Sequence, residues 1–279
     1  AVDHWRERFG IGGLRLDTAD WLDFDFLAAL REHCDRGGDD FVLLGEVVHG
    51  DYRRWVHDRA LHSVTNYEAY KGLWSAHAAK NFFEIGHTLE REFGPHGSYR
   101  GMPLYGFADN HDVDRVASRL PDRAQLFSLY ALLFTMPGWP SVYSGSEWGL
   151  RATRSATDDR ALRPRLDLDE LRRTQPGDLC AAISRLSALR AASEALQFGD
   201  YQRVHLASEQ LAFLRTSAHE RVLVVVNGGS APAELELTLP GPAPHELLDL
   251  LDPAAPMAVA QSRTRLVVPP RWARVLRLA

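Results

Sequence analysis

The sequence predicts a parallel α/β architecture followed by a small antiparallel β-domain. Three observations carry that expectation. Short apolar runs alternate with amphipathic stretches from residue 1 to about residue 198. Acidic residues stand just after three of those runs. From residue 199 to 279 the texture changes to β-branched, alternating segments cut by Gly and Pro clusters.

Taken in order, residues 14–16 and 41–44 read as strands. Between them, residues 21–36 place Leu22, Phe26, Leu27 and Leu30 on one helical face. The alternation continues with a strand at 63–67, a helix at 80–93, a strand at 104–108, a helix at 125–135, a strand at 141–143 and a helix at 178–195. In the C-terminal part, residues 222–226, 233–239 and 263–268 read as strands. Gly-Gly-Ser, Pro-Gly-Pro-Ala-Pro and Pro-Pro separate them.

Composition narrows the function classes. With 279 residues, 45% hydrophobic and 25% charged, the chain has a soluble globular composition, which excludes disordered, fibrous and disulfide-scaffold readings. A formal net charge of -5 and the lack of a Lys/Arg cluster interleaved with aromatics speak against nucleic acid as a partner. The longest nearly apolar run, 126–136, is too short to span a bilayer and is interrupted by Ser128 and Thr135. Cys34 and Cys180, the only cysteines, have no metal-ligand spacing and read as buried or spare thiols. The first residues, Ala-Val-Asp-His-Trp-Arg, carry neither an initiator Met nor a signal pattern. The expectation is a cytoplasmic protein from which something ahead of residue 1 is absent.

The chemistry sits at strand ends. Asp17 follows Gly13-Leu-Arg-Leu, Glu46 follows Phe41-Val-Leu-Leu-Gly, and Asp112 follows Tyr105-Gly-Phe-Ala-Asp-Asn-His. Carboxyl ends of parallel strands form the active-site face, so the three acids are expected to converge. Any one of them alone could equally be the N-cap of the next helix. Arg15, two residues before Asp17, falls on the same side of its strand.

Gly13-Leu-Arg-Leu-Asp17, Leu44-Gly-Glu46, Phe107-Ala-Asp-Asn-His-Asp112 and Gly138-Trp-Pro-Ser-Val-Tyr-Ser-Gly-Ser-Glu147 resemble the successive signatures of the α-amylase family of glycoside hydrolases, in the family's order. The resemblance covers nearly the whole chain. The segment from Glu46 to Trp55, followed by Ser63-Val-Thr-Asn-Tyr, is similar to bacterial members acting on maltooligosaccharides or cyclodextrins. The implied fold is the last five βα units of an incomplete (β/α)8 barrel over residues 1–198, followed by a β-sandwich domain over 199–279.

The resemblance implies a retaining hydrolase of α-glucosidic bonds in α-glucans or maltooligosaccharides. Asp17 would be the nucleophile, Glu46 the general acid/base, and Asp112 the carboxylate that holds and distorts the sugar. Retaining chemistry needs two carboxyl groups about 5 to 5.5 Å apart, one ionised and one protonated. Arg15 would keep Asp17 ionised, leaving the proton on Glu46. His111 would donate to a sugar hydroxyl or, more plainly, be a cap or a core group. His49 and Trp55 could line the leaving-group side or simply pack on the surface. Arg115 reads as a solvated helix residue.

The sequence departs from the family in two places. Asp20-Trp21 stands where a Lys-His pair is common, and Ser144 where a second Tyr is common. Both bear on outer subsites rather than on the chemistry. The family's earlier Asp-x-x-x-Asn-His motif is not in the sequence, so the first barrel units would be supplied in cis or in trans, and the fragment alone is expected to be inactive. No cofactor or metal ligand set is implied, and calcium dependence is not legible. The rival readings are an α-glucan transglycosylase, which shares the glycosyl-enzyme intermediate, and a non-catalytic interaction protein on the same fold.

Overall fold

The computed structural model describes residues 1–38, 40–252, 257–258 and 262–279. It divides into two compact units, residues 1–67 with 102–106, and residues 68–101 with 107–279.

The first unit is a parallel sheet that grows strand by strand in chain order. Helix α1 (Val2–Phe9) precedes β1 (Gly13–Leu16), α2 (Phe24–Asp35), β2 (Val42–Gly45) and β3 (Ser63–Val64). β1 pairs with β2 and β2 with β3, all parallel. Tyr105 then adds to the far edge through a parallel bridge to Thr65. Sequential parallel pairing requires a crossover between neighbours, and α2 is the first. Asp23 caps it, its carboxylate accepting from the Asp25 and Phe26 amides at 2.9 and 3.1 Å. Leu27 and Cys34 of α2 are fully buried, so Cys34 is a core thiol. Gly45 ends β2 because nothing larger fits: an added Cβ would lie 2.4 Å from Leu61 Cδ1 and 2.9 Å from Ala19 Cβ.

In the second unit α3 (Tyr67–Ala79) and α4 (Phe82–Phe93) precede β4 (Tyr105–Phe107), α5 (Val116–Arg119), α6 (Gln125–Thr135) and β5 (Trp139–Ser141). Then come α7 (Leu168–Thr174), α8 (Asp178–Ala191) and α9 (Glu194–Phe198). Helix α6 is apolar on nearly every side and buried along its whole length, as such a helix must be. The unpaired carbonyls at its C-terminal end take two buried arginines. Arg190 donates to the carbonyls of Phe134, Met136 and Gly138, and Arg215 to those of Thr135 and Gly199. Burial draws Arg190 down to about 10 and Arg215 to about 9.

The chain ends in antiparallel sheet. The strands are β6 (Asp200–Leu206), β7 (Gln210–Thr216), β8 (Arg221–Asn227), β9 (Ala233–Thr238), β10 (Glu246–Asp249), β11 (Met257–Ala258), β12 (Arg263–Val268) and β13 (Trp272–Leu278). Six run in the order β11-β10-β13-β8-β7-β6, and β12 pairs separately with β9. Leu214, Leu223, Val225 and Leu276 from the larger sheet meet Leu237, Leu266 and Val268 from the smaller in one apolar core. Position 199, where the sequence changes texture, is the step from α9 into β6 inside this unit. No described helix is long and apolar enough to cross a membrane.

Candidate active site

The register of the first sheet places two acids side by side. Leu16 is opposite Gly45, so Asp17 and Glu46 are the next positions on strands that run about 4.8 Å apart. The Glu46 amide donates to the Leu16 carbonyl at 2.8 Å, and the Ala19 amide to the Glu46 carbonyl at 2.8 Å. Arg15 bridges the pair: Nη1 bonds Asp17 Oδ1, and Nη2 lies 3.1 Å from Glu46 Oε2. Two carboxylates on the two arms of one guanidinium fall inside the roughly 9.5 Å outer limit of glycosidase pairs.

Their surroundings differ. The Asp17 side chain is 74% exposed and that of Glu46 is 9% exposed. Glu46 Oε2 also receives the Thr18 amide at 3.3 Å, and Oε1 the Tyr67 hydroxyl at 3.2 Å. The next residue is fixed as well, since the Val47 amide and carbonyl both bond Thr65 Oγ1, at 3.0 and 3.1 Å. Sequence reasoning missed Tyr67, whose stretch it read as a strand. The strand stops at Val64, and Tyr67 opens α3. A phenol three residues past a strand end, in the position class that supplied Asp17 and Glu46, was the available signal.

His49 lies in an exposed bend beyond Glu46, with no hydrogen bond or ion pair among the described residues. Trp55 is 4% exposed, its ring 6.3 Å from that of Phe24 and under the Arg54 guanidinium at 5.2 Å. It packs into the unit rather than lining an open side.

In the second unit a buried network shapes the loop after β4. Asp109 is 2% exposed and accepts from the Val116 amide at 2.8 Å and from Ser146 Oγ at 2.8 and 2.9 Å. Burial pushes its carboxyl up, against the lowering effect of those donors and of Arg115. Arg115 is 1% exposed, not the solvated residue that its place before a helix predicts. Its guanidinium donates to Ser144 O at 2.8 Å, Ser146 Oγ at 2.9 Å and Leu162 O at 2.8 Å, and lies 4.1 Å from the Tyr143 ring centroid. The sequence offers no sign of this, because the acceptors come from a loop 29 to 47 residues away.

Asn110 Oδ1 accepts from the amides of Asp112 and Val113 at 2.8 and 3.2 Å, an Asx turn that presents His111 and Asp112. His111 Nε2 is 3.0 Å from Asp112 Oδ2, and Arg163 Nη2 donates to Asp112 Oδ1 at 3.0 Å. Arg163 also pairs with Asp159 at 2.7 Å. These side chains are about a third to a half exposed, open to a ligand. Among the described residues no cluster of three His, Cys, Asp or Glu side chains could hold a metal ion.

Two strand-end acids on one arginine and a His-Asp turn after a later strand are the parts of a carbohydrate-cleaving centre. The model of the α-amylase catalytic domain matches residues 1–175. The chain belongs to the α-amylase family. It is 26% identical over 236 residues to a cyclomaltodextrinase from a Bacillus species, covering 83% of this chain and 41% of that protein. It is 28% identical over 257 residues to neopullulanase 2 of Thermoactinomyces vulgaris, covering 88% and 42%. An intracellular maltogenic amylase of Bacillus subtilis is 23% identical over 240 residues, covering 84% and 40%. The chain thus spans about two fifths of the length of these relatives.

Among solved structures, an Anoxybacillus α-amylase superposes with a TM-score of 0.80 at 22% identity, over 100% of this chain and 61% of that one. The α-amylase of Geobacillus thermoleovorans, complexed with acarbose, superposes with a TM-score of 0.82 at 21% identity, over 99% and 61%. The fold is an α-amylase fold that ends in antiparallel sheet.

Proposed function

We propose that the intact protein is a retaining glycosidase that cleaves α-glucosidic bonds in maltooligosaccharides or cyclodextrins. The observation that carries this reading is the Arg15 bridge between Asp17 and Glu46. The Asp17 carboxylate, held by Arg15 and open to solvent on its other side, attacks the anomeric carbon. Glu46, enclosed and oriented by Thr18 and Tyr67, gives its proton to the departing glycosidic oxygen. The C–O bond to the leaving sugar breaks as the bond to Asp17 forms. Glu46 then takes a proton from water, whose oxygen displaces Asp17 with a second inversion. Asp112, steadied by its Asx turn, and His111 bind hydroxyls of the ring being cleaved; His49 would act at the leaving-group rim.

The names of the relatives support the substrate class, since they include two that act on cyclomaltodextrin and pullulan. A cytoplasmic location, as the name of the Bacillus subtilis relative has it, belongs to the same proposal. So does the division into barrel residues 1–198, the last five βα units, and a β-sandwich over 199–279.

The test is substitution at the pair in the intact protein. Asp17→Asn should abolish turnover of maltooligosaccharides while leaving their binding largely intact. Glu46→Gln should retain activity on α-glucosyl fluoride, whose leaving group needs no proton. An Asp17→Asn enzyme with most of the wild-type rate would overturn the assignment.

A further inference from the structure

Trp21 is 86% exposed, a higher value than any other large hydrophobic side chain described. It does not sit on a loose loop. The turn that carries it is fastened to Glu46 at two points, through the Thr18 amide to Oε2 and the Ala19 amide to the Glu46 carbonyl. Ala19 is fully buried, and the Trp21 and Leu22 amides close the turn on the carbonyls of Thr18 and Ala19 at 3.0 and 3.3 Å.

The turn also contains a backbone conformation that its sequence resists. Thr18 has φ 43 and ψ 46, in the left-handed region, where a β-branched residue is a rare and strained choice. Strain of this kind persists where surrounding structure fixes it, and it concentrates at ligand sites. Here it directs the Thr18 amide at Glu46 and sets where the chain emerges at Trp21, four residues after Asp17.

We infer that the Trp21 indole is a stacking platform for a glucosyl ring on the leaving-group side of the cleaved bond. The inference rests on the proposed roles of Asp17 and Glu46, because the side is assigned by the attachment of the turn to the residue that protonates the leaving oxygen. A pyranose ring offers a flat patch of C–H groups that an indole face covers, whereas charged side chains recognise the hydroxyl rim. An indole therefore selects for the presence and tilt of a further sugar ring more than for its hydroxyl pattern. This makes Trp21 a specificity-determining residue that favours longer linear or cyclic glucans over short ones.

The test compares the intact wild-type protein with Trp21→Ala and Trp21→Phe on two substrates. Maltohexaose can reach the platform; α-glucosyl fluoride has no sugar beyond the cleaved bond. Calorimetric titration should show maltohexaose bound about tenfold more weakly by Trp21→Ala, roughly 1.4 kcal/mol, with Trp21→Phe within about threefold of wild type. The ratio of kcat/KM for maltohexaose to that for the fluoride should fall about tenfold in Trp21→Ala.

Equal maltohexaose affinity in wild type and Trp21→Ala, no binding of maltohexaose by either, or an unchanged substrate ratio would overturn the inference. A proportional fall on both substrates would make Trp21 merely structural and would also overturn it. Failure of the proposed function looks different: a wild type that turns over neither substrate counts against the carboxylate pair, while the titration still decides the platform.

Discussion

Arg115 offers the sharpest test of the packing argument, because sequence and structure assign it opposite environments. The substitution is Arg115→Lys, which keeps the charge and nearly the length but replaces a planar fork with a single ammonium. The guanidinium serves three acceptors, Ser144 O, Ser146 Oγ and Leu162 O. A lysine nitrogen on that line reaches one of them and leaves two without a donor in a region where Arg115 itself is 1% exposed.

Each hydrogen bond to a charged group is worth about 1.5 to 3 kcal/mol, so the loss of two amounts to about 3 to 5 kcal/mol. For a unit of this size 1 kcal/mol moves the midpoint by about 2 to 4 °C, so the unfolding temperature should drop by roughly 10 °C. Thermal melting followed by circular dichroism reads this directly. Arg115→Met should melt lower still, since it also removes the cation facing the buried Asp109 carboxyl. A Lys variant within about 0.5 kcal/mol of wild type would refute the reasoning and return Arg115 to the solvated role its sequence position implies.

Three further outcomes are expected. His77 is fully buried with its Nδ1 on the Leu73 carbonyl, and burial holds it down at about 4 against an ordinary 6.5; its contribution is therefore complete above 6.5 and is lost as pH falls towards 4, about 3 kcal/mol in all. Chemical denaturation from pH 7 to 4 should show that loss in wild type and a flatter profile in His77→Gln. Gly45→Ala should cost about 1 to 3 kcal/mol through the clash with Leu61 and Ala19, and its activity should fall further than its melting temperature because Glu46 is the next residue. Residues 1–279 produced alone should not hydrolyse maltotriose at a rate comparable to that of the relatives, a result that purified chain and a reducing-sugar assay can contradict.

The parts of the fold legible in the sequence are those whose cause is local. A helix at 125–135 is read correctly to the residue because Gln125–Thr135 is a continuous apolar run that ends at Met136 and Pro137. The strands at β1 and β2 are legible because each is a short apolar run next to Gly or an acid. What is not legible depends on partners far away in the chain. Helix α3 has buried residues on several sides, and its apolar stripe is broken by His77, whose accommodation depends on the Phe82 ring and the Leu73 carbonyl. Strands β6, β7 and β13 carry arginines inside apolar runs. Arg215 reads as solvent-facing until the α6 carbonyls that receive it are in view. The site divides along the same line: Arg15, Asp17 and Glu46 are visible as neighbours of strand ends, whereas Tyr67 and Arg163 act on carboxylates 21 and 51 residues away.

The arrangement of Asp17 and Glu46 shows why so short a pattern carries so much chemistry. In a parallel pair the register fixes which residues come level at the strand ends, and here Leu16 opposite Gly45 brings Asp17 level with Glu46. A slip of one residue would turn every side chain to the other face and separate Arg15 from one of its acids. The register is held by the close fit at Gly45, where any Cβ meets Leu61 and Ala19, and by the amide bonds that pass between the Leu16–Ala19 turn and Glu46. The same contacts that position the acid thus also fasten the turn that displays Trp21. The geometry of the carboxylate pair and the position of the exposed indole are consequences of one register. What the indole recognises is left to the identity of a single residue, which can change without disturbing the sheet. Activity and specificity are therefore separable by mutation here: changes at Gly45 should damage both, and changes at Trp21 should move specificity while the sheet stays intact.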